Sequence, residues 1–347
     1  MDIKIAIQYR NEDYTTGWID YCEKNKISYK LVNCYGSDII EQIKDCDALM
    51  WHFNHESPKD ILFAKQLIYS LEMSGKIVFP DFRTCWHFDD KIGQKYLFES
   101  IKAPLVPSHV FYSLNDAIKW IRKAEFPKVF KLRGGSGSIN VRLVRTRSHA
   151  VRLARKAFRS GFRLFNSSFS LKDRWLKYRQ GKETLFGVVK SIVRLAFPPR
   201  YSHISGKERG YVYFQDFVPD NDHDIRLTYV DKKCYGLRRK VRDGDFRASG
   251  SENYDYDPDH IPEDAIKIVF DMAARLKLQT AAFDFVVYNG RPMIVEISYG
   301  SGTAPEYYHH GYWDHDMNYY PGKFDPYGWM VDNVLELVKS GQINLLD

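Results

Sequence analysis

The hydrophobic pattern changes character along the chain. "IKIAIQ" is a short apolar run, "TTGWIDYCEKNK" has helical spacing, and "ISYKLVN" returns to a strand pattern. "CDALMWHF" predicts another strand, and "DILFAKQLIYSLEMSGKIVFP" a helix leading into a further strand. This alternation predicts a parallel sheet with crossover helices over roughly the first 85 residues. "DDKIGQKYLFESIKAPLVPS" then reads as a helix stopped by Pro104, and "SLNDAIKWIRKAE" as a second with Ser113 as N-cap. Val129, Phe130 and Leu132 predict a strand, as do Ile139, Val141, Leu143 and Val144 beyond a glycine-rich loop. A strand-rich region runs from Tyr211 to Asp245, followed by a helix from Pro262 to Leu278. A strand pair in "AAFDFVVYNGRPMIVEIS" turns at Asn289-Gly290. An aromatic tail and the helix "GWMVDNVLELVKS" close the sequence. The predicted class is α/β, becoming α+β after the first domain. The expected divisions are 1–85, 86–210 with a basic insertion at about 145–209, and 211–347.

At 347 residues, 44% of them hydrophobic and 15% aromatic, the chain has the composition of a globular protein with a sizeable core. Five cysteines without C-x-x-C spacing predict buried thiols in a reducing compartment. The opening "MDIKIAIQYR" lacks a signal peptide's apolar stretch, and no run of 18 apolar residues occurs, so a soluble cytoplasmic protein is expected. The net charge of +7 is unevenly placed. Between Arg142 and Arg209 stand 18 Lys/Arg against Asp173, Glu183 and Glu208, a local balance of +15.

Candidate chemistry begins at "FPKVFKLRGGSGSINV". A hairpin needs only two turn residues, so Gly134, Gly135 and Gly137 exceed what chain reversal requires. Glycines let backbone N–H groups converge on an anion such as phosphate, and Lys131 would add a point charge to it. An ordinary flexible hairpin is the competing reading. Because a strand follows the loop, it matches neither the P-loop nor G-x-G-x-x-G. Further on, Asp284 and Glu296 lie twelve apart around the Asn289-Gly290 turn, which can bring them opposite each other on neighbouring strands. Two carboxylates that close repel unless a cation lies between them, and paired oxygens with waters suit Mg²⁺.

Taken in order, these stretches resemble the ATP-grasp superfamily, and most closely the branch containing ribosomal-protein glutamate ligases. The resemblance covers roughly residues 85 to 300. "FKLRGGSGSINV" is similar to the strand, lysine and Gly-rich lid of that superfamily, and "VYFQDFVPDNDHDIRLTYV" to its adenine hinge and D-I-R strand. "GDFRAS" and the spacing from Asp284 to Glu296 and Ser298 follow in family order. The resemblance implies an ATP-grasp fold: a parallel-sheet pre-grasp domain, a lid subdomain and an antiparallel C-terminal subdomain. It implies that Lys91 and Lys131 contact the α- and β-phosphates, with the backbone of Gly135, Ser136, Gly137 and Ser138 capping the β- and γ-phosphates. Gln215, Asp216 and Phe217 would lie at the adenine hinge, and Asp224 on the ribose and phosphate side. Arg226 and Arg239 would neutralise the transferring phosphoryl group, with Arg238 the alternative by register and Arg247 nearby. Asp284, Glu296 and Ser298 would hold Mg²⁺ or Mn²⁺. Two positions depart from the pattern: Ser298 replaces an asparagine, and Asp216 stands where glutamate is common.

The implied activity is an ATP-dependent carboxylate–amine ligase working through an acyl phosphate. A kinase would use the same nucleotide site, and a non-catalytic nucleotide-binding scaffold is a third reading. Nine Tyr and Trp lie between 299 and 329, directly after the metal strand. They would either line an acceptor site for sugars or stitch a long loop to the domain. Similar sequences with an "EISYG" strand and a "GYWD" tail resemble those of surface-polysaccharide pathways, implying a uronic-acid-bearing glycan or precursor as the carboxylate. The basic stretch mixes aromatic and cationic residues as interfacial helices do, suggesting an anionic membrane at the inner face. Phe158, Phe162, Leu164, Phe165 and Trp175 would then enter the headgroup boundary. A solvated insertion or a homodimer contact is the alternative, and no nucleic acid is expected because no recognised binding module appears.

Overall fold

The computed structural model describes residues 3–11, 13–55, 57–135, 140–163, 178, 184, 206–241, 246–247, 253–300 and 305–341. Ser136, Gly137 and Ser138, and within the basic insertion Leu164, Phe165 and Trp175, lie outside the described residues. The chain divides into two compact units. One comprises Met1–Phe88, His223–Lys240 and Asn253–Asp347, the other Asp89–Asp222 and Val241–Glu252.

In the first unit, the N-terminal strands form the expected parallel sheet in the order Ser28–Val32, Lys4–Gln8, Ala48–Met50, Ile77–Phe79. The central strands are buried on both faces, which explains their nearly continuous apolar runs. Helix Pro58–Met73 starts at Ser57, whose side chain accepts from the Asp60 amide, and it buries Ala64, Ile68 and Leu71 one turn apart. The opposite sheet face is covered by Asp13–Asn25 together with the C-terminal helix Pro326–Ser340, so the two ends of the chain share one core. Ile5, Ile7, Trp18, Met50 and Phe79 meet Met330, Val331 and Val334 in that core. Glycines permit the close approach of these helices. A Cβ on Gly17 would stand 2.5 Å from the Tyr327 ring, and one on Gly328 2.4 Å from Tyr21.

The same unit contains a larger antiparallel sheet among the described residues. Its strand order is Arg291–Ser298, Thr280–Tyr288, His223–Val230, Lys233–Lys240, Gly311–Asp314 and Tyr319–Pro321, with Tyr254–Asp255 also pairing to Lys233–Lys240. Helix Glu263–Leu276 ends with Lys277 in a left-handed cap. Its buried stripe is Ala265, Ile266, Val269, Met272 and Ala273. The Asn289-Gly290 turn has positive φ at both positions (50° and 75°), as a two-residue hairpin requires.

The second unit is built on a four-stranded antiparallel sheet ordered Ser108–Phe111, Val212–Asp216, Lys128–Lys131, Arg142–Val144. Helix Leu114–Lys123 begins at Ser113 as expected, and helix Arg147–Phe158 begins at Thr146. Both contribute to a core with Phe130, Val212 and Phe214. Phe162 is part of that core, its ring 5.1 Å from Phe130, and Phe158 packs against it. Phe162 is therefore not available to enter a membrane, a correction to the interfacial reading. The alanine and leucine positions of helix Arg147–Phe158 face inward, and Arg147, Arg152, Arg155 and Lys156 face out. Among the described residues no helix is long and apolar enough to cross a membrane.

Candidate active site

In an antiparallel sheet, residues directly opposite or two apart share a face. Asp224 and Arg226 are two apart on one strand. Asp224 lies opposite Arg239, and Arg226 opposite Asp284. Asp284 lies opposite Glu296, and Ser298 is two further along that strand. Six of the candidate residues therefore stand on one face across four neighbouring strands of the first unit. The other face carries Ile225, Leu227, Phe283, Phe285 and Ile297, all fully or nearly fully buried. This polar–apolar division makes the strands alternate and fixes their register. Arg238 points away, and its Nε donates to Asp255 at 2.9 Å.

The charged side chains are locked together. Arg239 donates from Nε and Nη2 to the two oxygens of Asp224, both at 2.7 Å, and its Nη2 lies 3.0 Å from Asp284. Arg226 grips Asp284 with Nε at 2.7 Å and Nη2 at 2.8 Å. Such paired contacts fix the plane of each guanidinium as well as its position. Burial works to raise the Asp284 carboxyl, but Arg226 and Arg239 outweigh it and hold the group below the usual carboxylate range. Asp224 goes the other way: burial dominates over Arg239 and pushes its carboxyl up. Asp224 is thus paired directly with Arg239.

The cross-strand pair offers oxygen ligands only. Among the described residues no group of three or more His, Cys, Asp or Glu gathers around a common point. That donor set fits a hard divalent cation such as Mg²⁺, which takes one or two carboxylates and completes its shell with water and phosphate oxygens. Both Asp284 oxygens already accept from arginine, so Asp284 would share its carboxylate between cation and guanidinium. The Ser298 hydroxyl donates to the Gly300 carbonyl at 2.8 Å, leaving its oxygen lone pairs as the acceptor side.

In the second unit, Lys131 is buried and donates to Gln215 Oε1 at 2.6 Å, while Gln215 Nε2 donates to Ser108 at 3.1 Å. Lys91 stands at the first position of helix Lys91–Ser100, is buried, and donates to the Gly135 carbonyl at 2.9 Å. The Gly135 amide in turn donates to Asp89 at 2.6 Å, and the Lys91 amide donates to the Arg133 carbonyl at 2.9 Å. The start of the glycine loop is therefore tied to the helix that carries Lys91. Asp216 accepts from Lys128 at 2.7 Å, with His109 Nε2 at 3.2 Å. The Phe217 ring meets Phe246 edge-on at 6.1 Å, and the Arg247 guanidinium lies 5.9 Å from the Phe246 ring. Phe217 and Arg247, 30 residues apart in sequence, thus gather around one ring.

Sequence reasoning missed Tyr254, which pairs with Arg239 and so stands on the charged face, and Asp89, which anchors Gly135. The only available signal for Asp89 was the acidic pair immediately before Lys91. Within the tail, Tyr308, Tyr312, Tyr327 and Trp329 pack into or against the first unit's core. Tyr299 donates to the Phe53 carbonyl and lies 4.5 Å from Phe88, and Trp313 packs on Tyr319. Most of the tail is thus structural.

No family model matches the chain, and no curated protein sequence matches it. Solved structures do. A RimK-domain ATP-grasp protein from Sphaerobacter thermophilus DSM 20745 matches with a TM-score of 0.56 at 14% identity, covering 96% of this chain and 99% of that one. The D-cycloserine synthetase DcsG matches at 0.58 and 13% identity, covering 98% and 100%. The D-alanine–D-alanine ligase of Bacillus anthracis matches at 0.55 and 14% identity, covering 97% and 98%, and that ligase is also known in complex with ATP. The chain has the ATP-grasp fold.

Proposed function

We propose that this chain is an ATP-dependent carboxylate–amine ligase acting through an acyl phosphate. The observation that carries the reading is the single sheet face on which Arg226, Arg239, Asp284 and Glu296 meet. A carboxylate oxygen of the substrate attacks the γ-phosphorus of ATP, the bond to the β-phosphate oxygen breaks, and ADP leaves. The amine nitrogen of the second substrate then attacks the acyl carbon and gives up a proton. The carbon–oxygen bond to the phosphoryl group breaks, and inorganic phosphate departs with the electron pair. Phosphoryl transfer depends on positioning and charge neutralisation more than on a protein nucleophile.

Each residue has a share in that task. Arg226 and Arg239, oriented by Asp224 and Asp284, neutralise charge on the phosphoryl oxygens. Lys131 and Lys91 contact the phosphates nearer the ribose, and the backbone N–H groups of Gly135, Ser136, Gly137 and Ser138 cap the outer ones, the Gly135 amide exchanging its bond to Asp89 for one to phosphate. Gln215, Asp216 and Phe217 hold the adenine, and Arg247 adds positive charge. Glu296, with Asp284 and Ser298, would hold Mg²⁺, which when bound screens the phosphate charges. The finer reading takes a uronic-acid-containing glycan or its precursor as the carboxylate, and an amino acid or amine as the nucleophile. It also has the basic helix Arg147–Phe158 docking on an anionic membrane by charge alone, since its apolar side is used in the core.

Hydroxylamine trapping tests the reaction class. With Mg²⁺, ATP, a candidate carboxylate and hydroxylamine, the ligase yields a hydroxamate and ADP together. A stable phosphorylated product formed without any amine, and no hydroxamate, would instead identify a kinase.

A further inference from the structure

A short aromatic strip leads away from the charged face. Tyr254 lies opposite Arg239 and so projects from the face that carries Arg226 and Asp284. Tyr307 meets it edge-on at 5.4 Å. Tyr256 lies 5.9 Å from Tyr307, and the Tyr256 ring stacks flat on His310 at 4.0 Å with 4° between the planes. Tyr254, Tyr256 and Tyr307 are half-buried and His310 is exposed, so the strip runs from the ionic cluster to solvent. Tyr254, Tyr256 and His310 take no part in the unit's hydrophobic core, against which Tyr307 packs.

We propose that Tyr254, Tyr256, Tyr307 and His310 form a substrate subsite that binds a hydroxylated ring bearing the reactive carboxylate, a sugar acid. The proposal rests on the ligase reading for the fate of the carboxylate, but the binding surface stands on its own geometry. Aromatic faces cover the apolar C–H faces of a pyranose, and phenol and imidazole groups hydrogen-bond its hydroxyls. Burial pushes the Tyr256 hydroxyl up to about 12, so it stays a donor at neutral pH. The adjoining arginines attract the carboxylate and draw the ring onto the strip in one orientation. A small amino acid has no ring to lay against this surface and would leave it unused.

Saturation-transfer NMR on the full chain, with glucuronate as the ring probe and glutarate as a ring-free carboxylate, tests this directly. Glucuronate should give signals at its ring C–H protons, and its affinity should fall about 3- to 10-fold in Tyr256→Ala and in His310→Ala. Glutarate affinity should not change in either variant. His310 is exposed, so its replacement separates lost binding from lost folding. Absent ring-proton signals, or unchanged glucuronate affinity in both variants, would overturn the subsite. ADP release, measured alongside, keeps the two claims apart. Turnover of glutarate without ring contacts would overturn the strip alone, whereas ring contacts without any ADP release would overturn the ligase reading.

Discussion

Removing Asp284 should expose how strongly the charged face is held together. In Asp284→Ala, Arg226 loses two hydrogen bonds and Arg239 one ion pair, while Arg239 keeps its paired contact to Asp224. Deleting one partner of a buried pair costs about 3–5 kcal/mol, because the remaining charge stays desolvated. Arg239 is 5% exposed but Arg226 is 24% exposed and can turn toward water, so about 3 kcal/mol is expected. In a unit of this size that corresponds to roughly 6–12 °C in melting temperature. Differential scanning calorimetry at pH 7 would measure it, with Asp284→Leu, Arg226→Met and the double variant Arg226→Met/Asp284→Leu completing a cycle. The double variant should recover most of the loss, since an apolar pair removes both the attraction and the desolvation penalty. The pH dependence has a definite sign. A carboxyl held below its ordinary value contributes stability above that value, so the gap between wild type and Asp284→Ala should shrink as pH falls below about 4. A shift under about 2 °C, or a double variant equal to the sum of the singles, would refute the ion-pair account.

Three further outcomes are expected. Lys131→Met should weaken binding of a non-hydrolysable ATP analogue about 10- to 100-fold by calorimetric titration, the loss of one charge-assisted phosphate contact. Burial, reinforced by nearby Asp81, pushes the Glu72 carboxyl up to about 7. The native state then binds a proton the unfolded chain has lost, so stability should fall as pH rises from about 4.5 to 7, and Glu72→Gln should abolish that slope in urea melts. Replacing Arg152, Arg155, Lys156 and Arg159 by glutamine should reduce co-sedimentation with anionic vesicles and leave ATP turnover unchanged. Equal binding of the wild type to neutral vesicles would sink the membrane docking.

Local features were the most legible part of the sequence. Ser113 as a cap, the Asn289-Gly290 turn and the opposition of Asp284 to Glu296 follow from short-range chemistry, in which neighbours in sequence decide the geometry. That Arg239 and Arg238 face opposite ways also followed from register, because a strand sends alternate side chains to opposite faces. What was not legible depends on long-range contact. The helix Pro326–Ser340 carries an apolar stripe that could cover any sheet, and nothing local says that it joins Trp18 and Ile7 at the other end of the chain. Phe162 looked like a membrane-facing residue because its neighbours are basic, yet the Phe130 strand gives it a buried partner. Nor could spacing reveal that Asp224 and Asp284 each bind arginine, since guanidinium pairing depends on strands that are distant in sequence.

The central claim is that the sheet face around Glu296 promotes phosphoryl transfer to a carboxylate. Hydroxamate formation from ATP, Mg²⁺, hydroxylamine and glucuronate, compared between the wild type and Glu296→Gln, tests it most directly. The account predicts hydroxamate and ADP in equal amounts from the wild type, and at least a hundredfold less (about 3 kcal/mol) from a folded Glu296→Gln. Wild-type rates from that variant would contradict it.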